Sequence, residues 1–200
     1  MASPMKSIDP GDMDPRAVYR LMISSIVPRP IALISTISDA GLTNLSPFSF
    51  FTGVSSRPPI VAVSIVRGKD GEKDTMRNIR QTREFVVNVV DRALAGPMAV
   101  ASAAHPANVS EFDVTGLTPI PSDKVKPPRV AESPVHFECV VTDLVERPGG
   151  ADVVLVLGRI LRFHVVRRLW TEGEVDPVAL DPVGRLGGNL YATLDEPFEL

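Results

Sequence analysis

Apolar residues fall along this chain in short runs set apart by proline and glycine, not in long stripes of helical period. Residues 31–38, 60–66 and 84–90 are rich in β-branched side chains at strand length and read as strands. Residues 135–145 and 152–166 are two longer strand runs, and Pro148-Gly149-Gly150 between them reads as a hairpin turn. Helical spacing is weaker. Val18, Leu21 and Met22 suggest one or two turns over 16–24, and Leu94, Met98 and Ala101 share a face over 93–104. A helix starting at 73–79 has Met76 and Ile79 on one face, with Asp74 or Thr75 as its cap. Residues 106–128 read as loop. Strands outnumber helices and several are consecutive, which favours an antiparallel barrel with short peripheral helices over a doubly wound sheet.

One segment breaks the strand pattern. After a turn at Asp39-Ala40-Gly41, residues 44–51 place Asn44, Ser46 and Ser49 beside Pro47, Phe48, Phe50 and Phe51. A half-buried strand alternates apolar and polar positions; here hydroxyls and an amide crowd among aromatics. Such a wall suits a flat ligand with polar edges, and it equally suits a loop whose Ser and Asn satisfy their own backbone.

Composition narrows the setting. Two hundred residues make one domain with a sizeable core, with 1–15 as an N-terminal arm and 167–200 as a C-terminal extension. A net charge of -3 gives no reason to expect nucleic acid, whose phosphates require Lys and Arg. The single cysteine, Cys139, excludes an intrachain disulfide and a cysteine-rich zinc site, and fits a reducing cytoplasm. No apolar run approaches the roughly 20 residues that span a bilayer, and 1–15 has no signal-peptide core. The expectation is a cytoplasmic protein without membrane or nucleic-acid partners.

Two further constellations carry chemistry. Lys73-Asp74-Thr75 with Asn78 opens a helix, where unpaired amides and the positive end of the dipole favour an anion; the alternative is a plain N-cap. Gly184-Arg185-Leu186-Gly187-Gly188-Asn189-Leu190-Tyr191 lacks the spacing of a dinucleotide fingerprint. It reads as a surface loop, or as a lid carrying Arg185 and Tyr191 to a ligand. The histidines have no metal-ligand spacing; His136 and His164 lie within strand runs and read as structural, whereas His105 lies in a loop and is freer to act. No Ser sits in a GxSxG elbow.

The order RPIALIST, NLSPFSFFTGVSSRPP, KDTMRNI, EFVVNVV, SEFDVTGLT, ESPVHFEC, LGRILRFHV and DPVGRLGGNLYA resembles the flavin reductase-like FMN-binding split-barrel family, in the branch named for the reductase component of nitrilotriacetate monooxygenase. The resemblance implies a mainly β fold, a six-stranded antiparallel Greek-key split barrel, in a homodimer that binds FMN, with FAD as a second candidate. Carried onto this chain, it puts Asn44, Ser46, Pro47, Phe48 and Ser49 along the flavin ring and ribityl chain, with Arg29 and Thr36 as lesser flavin-side candidates. Lys73, Asp74, Thr75 and Asn78 surround the phosphate, and His105, Phe112, Arg185 and Tyr191 stand on the substrate side. The implied activity is hydride transfer from NADH or NADPH to the flavin, with no catalytic side chain and no metal. Reduced flavin then feeds a partner monooxygenase. The alternatives are reduction of another acceptor, such as a ferric chelate or a quinone, and a flavin-binding protein without turnover.

Overall fold

Proline sets where the first helix begins. In this computed structural model, which describes residues 3–68, 71–146 and 153–199, α1 (Pro15–Ser25) has Pro in its first turn, and Asp14 caps it by accepting from the amides of Arg16 and Ala17. None of its side chains is buried. β1 (Arg29–Pro30), β2 (Ala32–Ile37), β3 (Thr43–Phe48), β4 (Phe51–Ser56) and β5 (Pro59–Val66) follow, and α2 (Asp74–Thr82) leads to β6 (Glu84–Val89). An excursion carries α3 (Ala95–Ala101), α4 (Glu111–Thr115), β7 (Pro119–Ile120) and β8 (Arg129–Val130). The long strands β9 (Val135–Glu146) and β10 (Val153–Val165) come next. The tail adds β11 (Trp170–Thr171), β12 (Glu174–Val175), α5 (Pro177–Leu180), β13 (Gly184–Arg185) and β14 (Tyr191–Ala192). The expected turn at Pro148-Gly149-Gly150 lies outside the described residues.

The main sheet is antiparallel with strand order β3-β2-β6-β9-β10-β5-β4. It has seven strands where the resemblance implied six, and among the described residues no ladder closes β3 onto β4. The reason is local. β3 and β4 are consecutive in the chain, separated only by Ser49 and Phe50, yet they form opposite edges of the sheet. The chain turns a corner there, so one long stretch becomes two edge strands. Phe50 keeps the corner attached by accepting from the Ser64 amide at 2.9 Å.

Alternate residues of the same strand enter two different cores, which is why the central strands read as unbroken apolar runs. Ala32 and Ile34 of β2 join Val63, Phe85, Val87, Cys139 and Val156 inside the curled sheet, and Met76 and Ile79 of α2 pack against this inner core. Leu33 faces the other way, to an outer core with Leu45, Leu94, Met98, Phe112 and Val183. Packing inside is tight. A Cβ added at Gly158 of β10 would stand 2.4 Å from Phe85 Cζ, so the ring of Phe85 depends on glycine there.

A polar layer pins the excursion to the outer face of the sheet. Asn88 donates to Leu33 O and accepts from the Val130 amide at 2.9 Å. The Ser35 hydroxyl donates to Pro128 O. His136 donates from Nε2 to Val130 O at 2.8 Å, and its Nδ1 is buried without a partner among the described residues. Buried Glu138 accepts from the amides of Asp123 and Lys124 and from His164. Burial lowers the His136 pKa from 6.5 to about 4, so the ring is neutral. Its folded pKa lies below the unfolded one, so its contribution is complete above pH 6.5 and fades as pH falls towards 4, by on the order of 3 kcal/mol at most. Urea unfolding of His136→Gln is expected to show a deficit against the wild type that is largest at neutral pH and shrinks between pH 6.5 and 4. A deficit that stays constant over that span counts against a neutral, desolvated His136.

Candidate functional site

The start of α2 is built without a cap. Lys73 occupies the N-cap position and no side chain bonds the first turn, contrary to the expectation that Asp74 or Thr75 would do so. Both residues have other partners: Asp74 pairs with Arg77, and the Thr75 hydroxyl is buried and accepts from Asn44 Nδ2 at 2.9 Å. The amides of Met76 and Arg77 turn back to Lys73 O, while those of Asp74 and Thr75 have no acceptor among the described residues. Two donors at the positive end of a helix are therefore without an acceptor among the described residues. Lys73 immediately precedes them, and its Nζ is 5.9 Å from the centroid of the Phe48 ring.

These groups face a cavity of about 480 Å3. Asn44 and Ser46 of β3, the N-cap residue Lys73, Asp74 and Thr75 of α2, and His105 all line it. An adjoining cavity of about 410 Å3 shares Asn44, Asp74 and Arg77 and also reaches Asn78. Beneath the shared wall lies a closed network. Thr36 Oγ1 accepts from Asn44 Nδ2 at 3.2 Å and from Asn78 Nδ2 at 3.1 Å, and all three residues are buried. Thr36 and the Asn78 amide thus hold β2, β3 and α2 together.

The other expected residues lie elsewhere. At the far end of β3, the Ser49 hydroxyl is 3.4 Å from Arg29 Nε. Arg29 is buried, and its guanidinium donates to Ile23 O at 2.6 Å, Ile26 O at 2.7 Å and Leu186 O at 2.8 Å. Burial lowers its pKa, yet three carbonyls hold the cation in place. Arg29 pairs with Arg185 across β1 and β13. Arg185 stacks 4.7 Å from the Tyr191 ring centroid and also donates to the Tyr191 hydroxyl and to Gly188 O. Pro47 pairs with Leu33 at the sheet edge, and Phe48 is in the inner core. Phe112 is in the outer core and does not line the cavity. Apart from Pro47, Phe48 and Phe112, the expected residues form two clusters, one at the start of α2 and one at the Ser49 corner, joined by β3.

Glu111, at the start of α4, also lines the 480 Å3 cavity and was absent from the sequence expectations. It accepts from the Leu45 amide at 2.9 Å. Burial raises its pKa; the amides of Leu45 and of Glu111 itself and then His105 oppose the rise, and Asp74 adds to it. A lone acid in a loop-rich stretch carries no pattern that would have revealed this. Asp123, Glu138 and His164 also converge. There Glu138 is already satisfied by two amides and His164, and Arg129 and Arg162 stand close to Glu138 and Asp123. Those cations make it a poor place for a metal ion.

Comparison with known proteins agrees with this architecture. The family described as "Flavin reductase like domain" matches residues 23–179. A protein from Halalkalibacterium halodurans, of uncharacterised function, is 38% identical over 197 residues, covering 96% of this chain and 94% of its own. The structure of nitrilotriacetate monooxygenase component B from Bacillus cereus is similar at 36% identity and a TM-score of 0.95, covering 100% of both chains. Pseudomonas fluorescens 2-nitrobenzoate 2-nitroreductase is similar at 28% identity and a TM-score of 0.89, covering 98% of this chain and 95% of that one. The chain belongs to the flavin reductase-like family.

The shared hydroxyl is testable. Thr36→Val keeps the shape and strands two buried amide donors, each costing about 1–3 kcal/mol. The expected result is a loss of roughly 2 kcal/mol or more in chemical unfolding. A variant as stable as the wild type would show that Asn44 and Asn78 find other acceptors.

Proposed function

We propose that this chain is an oxidoreductase that binds FMN and takes hydride from NADH or NADPH, providing reduced flavin to a partner monooxygenase. The observation that carries the reading is the uncapped start of α2, where Lys73 and two amides without an acceptor among the described residues line a cavity walled by β3. Such a helix start suits a phosphate. Asn44 and Ser46 lie next to it for the polar chain of the ligand, and β3 runs from there to the Ser49 corner, where Arg29, Arg185 and Tyr191 gather. The flavin, when bound, supplies the hydride-accepting ring. The protein's own part is to hold the phosphate, orient the ring along β3 and keep water from it.

Homodimer formation is part of the proposal. An apolar groove lined by Phe51, Ile60, Phe137, Ile160 and Phe163 lies open along β4 and β10, with Phe163 about half exposed. Tyr19, Met22 and Ile26 of the α1 region are also exposed. Exposed apolar surface of this kind fits a second copy of the chain. No helix among the described residues is long and apolar enough to cross a membrane.

Anaerobic mixing of the FMN-loaded protein with NADH and with NADPH tests the activity. The expected outcome is bleaching of the oxidised-flavin band at about 450 nm with at least one donor; a yellow protein that neither donor bleaches refutes it. Separately, Lys73→Ala removes one charge-assisted contact and is expected to weaken FMN by about 1.5–3 kcal/mol while leaving riboflavin, which has no phosphate, unchanged. Equal loss for both ligands in fluorescence titration would move the phosphate away from α2.

A further inference from the structure

One acid that lines the 480 Å3 cavity has no counter-charge among the described residues. Of the carboxylates that line it, Asp74 pairs with Arg77 and Glu72 with Arg80 at 2.7 Å. Glu111 forms no ion pair among the described residues, although it is only 9% exposed. Its Oε2 accepts from the Leu45 amide, its own backbone N–H also turns to the carboxyl, and no further described residue donates to it. The residue lines the cavity, and its carboxyl oxygens are not among the fully buried polar side-chain atoms left without a partner. The cavity wall therefore holds a fixed carboxyl oxygen with unused hydrogen-bonding capacity. Leu45 belongs to β3, between Asn44 and Ser46, so the carboxyl is anchored to the strand that walls the cavity.

An acid in this position opposes an anion, so it does not serve the phosphate. It suits a neutral donor next to the phosphate. In a flavin mononucleotide the group adjoining the phosphate is a chain of hydroxyls, and a buried carboxyl selects a hydroxyl strongly because the partner it lacks is costly to leave out. We propose that Glu111 is a ligand-binding residue whose free oxygen hydrogen-bonds a hydroxyl of the ligand's polyol chain. The proposal rests on the flavin reading above. It assigns the cavity three separate recognition elements: the start of α2 for the phosphate, Glu111 for the polyol, and the remainder of β3 for the ring.

Three flavins separate these elements: FMN, riboflavin without the phosphate, and lumiflavin with neither phosphate nor polyol. Dissociation constants are measured by fluorescence titration for the wild type, Glu111→Ala and Glu111→Gln. Glu111→Ala is expected to weaken FMN and riboflavin by the same factor, about tenfold, and to leave lumiflavin unchanged. Glu111→Gln keeps its one carbonyl oxygen for the Leu45 amide and turns an NH2 donor to the hydroxyl, whose oxygen accepts it, and is expected to recover most of the loss. Equal weakening of lumiflavin would assign Glu111 a purely structural part through Leu45 and overturn the proposal. Tighter FMN with unchanged riboflavin in Glu111→Ala would overturn it too, by placing the acid against the phosphate, and so would unchanged binding of all three. A wild-type protein that takes up none of the flavins overturns the flavin reading itself, whereas the preceding outcomes overturn only the role of Glu111.

Discussion

One oxygen atom, Thr36 Oγ1, fixes the relation between the helix and the wall on which the site depends. It sits inside the protein and accepts from two side-chain amides, one on β3 and one on α2. A buried amide donor without an acceptor costs more than an ordinary hydrogen bond contributes, so both side chains are held to this point. Asn44 then has its second proton directed to Thr75, which tethers the first turn of α2 a second time. The consequence is an exposed but stationary helix start. Its amides and Lys73 are presented by elements whose side chains are already committed below.

The outer layer reaches the same cavity by a different route. The excursion between β6 and β9 is fastened to the sheet by Ser35, Asn88, His136 and Glu138, and it carries the outer core residues Leu94, Met98 and Phe112. Because that core covers Leu33 and Leu45, the excursion is held close enough for His105 and Glu111 to form the far wall of the cavity. Polar pinning gives the layer a defined register that apolar packing by itself would not, since each buried carbonyl and amide accepts only its own partner.

The reading from sequence succeeded where burial acts on whole runs. β2, β5 and β6 are covered on both faces or nearly so, and β-branched runs at strand length announced them. It faltered where a single side chain had a choice of partner. Asp74 and Thr75 have the chemistry of a cap, but Arg77 and Asn44 claim them. Thr36 and Asn78 have the chemistry of ligand contacts, but the Asn78 side-chain amide is committed to Thr36 even where Asn78 borders the adjoining cavity. Phe112 was expected at the pocket, and α4 instead turns it into the outer core while presenting its neighbour Glu111 to the cavity. The strand count differed for a related reason: nothing in Ser49-Phe50 signals that a continuous stretch will bend into two edges. His136 and His164 were legible as structural, because a histidine within a strand run usually has a fixed partner, here Val130 O and Glu138.

The two edges of the open sheet have one more consequence. An unpaired strand edge invites another chain to extend the sheet, which is the route to fibrils and misassembly. On β3 the amide of Leu45 is occupied by Glu111, and Pro47, two residues on, has no amide to offer. On β4 the register shifts between Gly53 and Ser55, a bulge that twists the other edge away from a straight partner. The strand that walls the cavity can thus stay uncovered for a small molecule without becoming a template for its own kind.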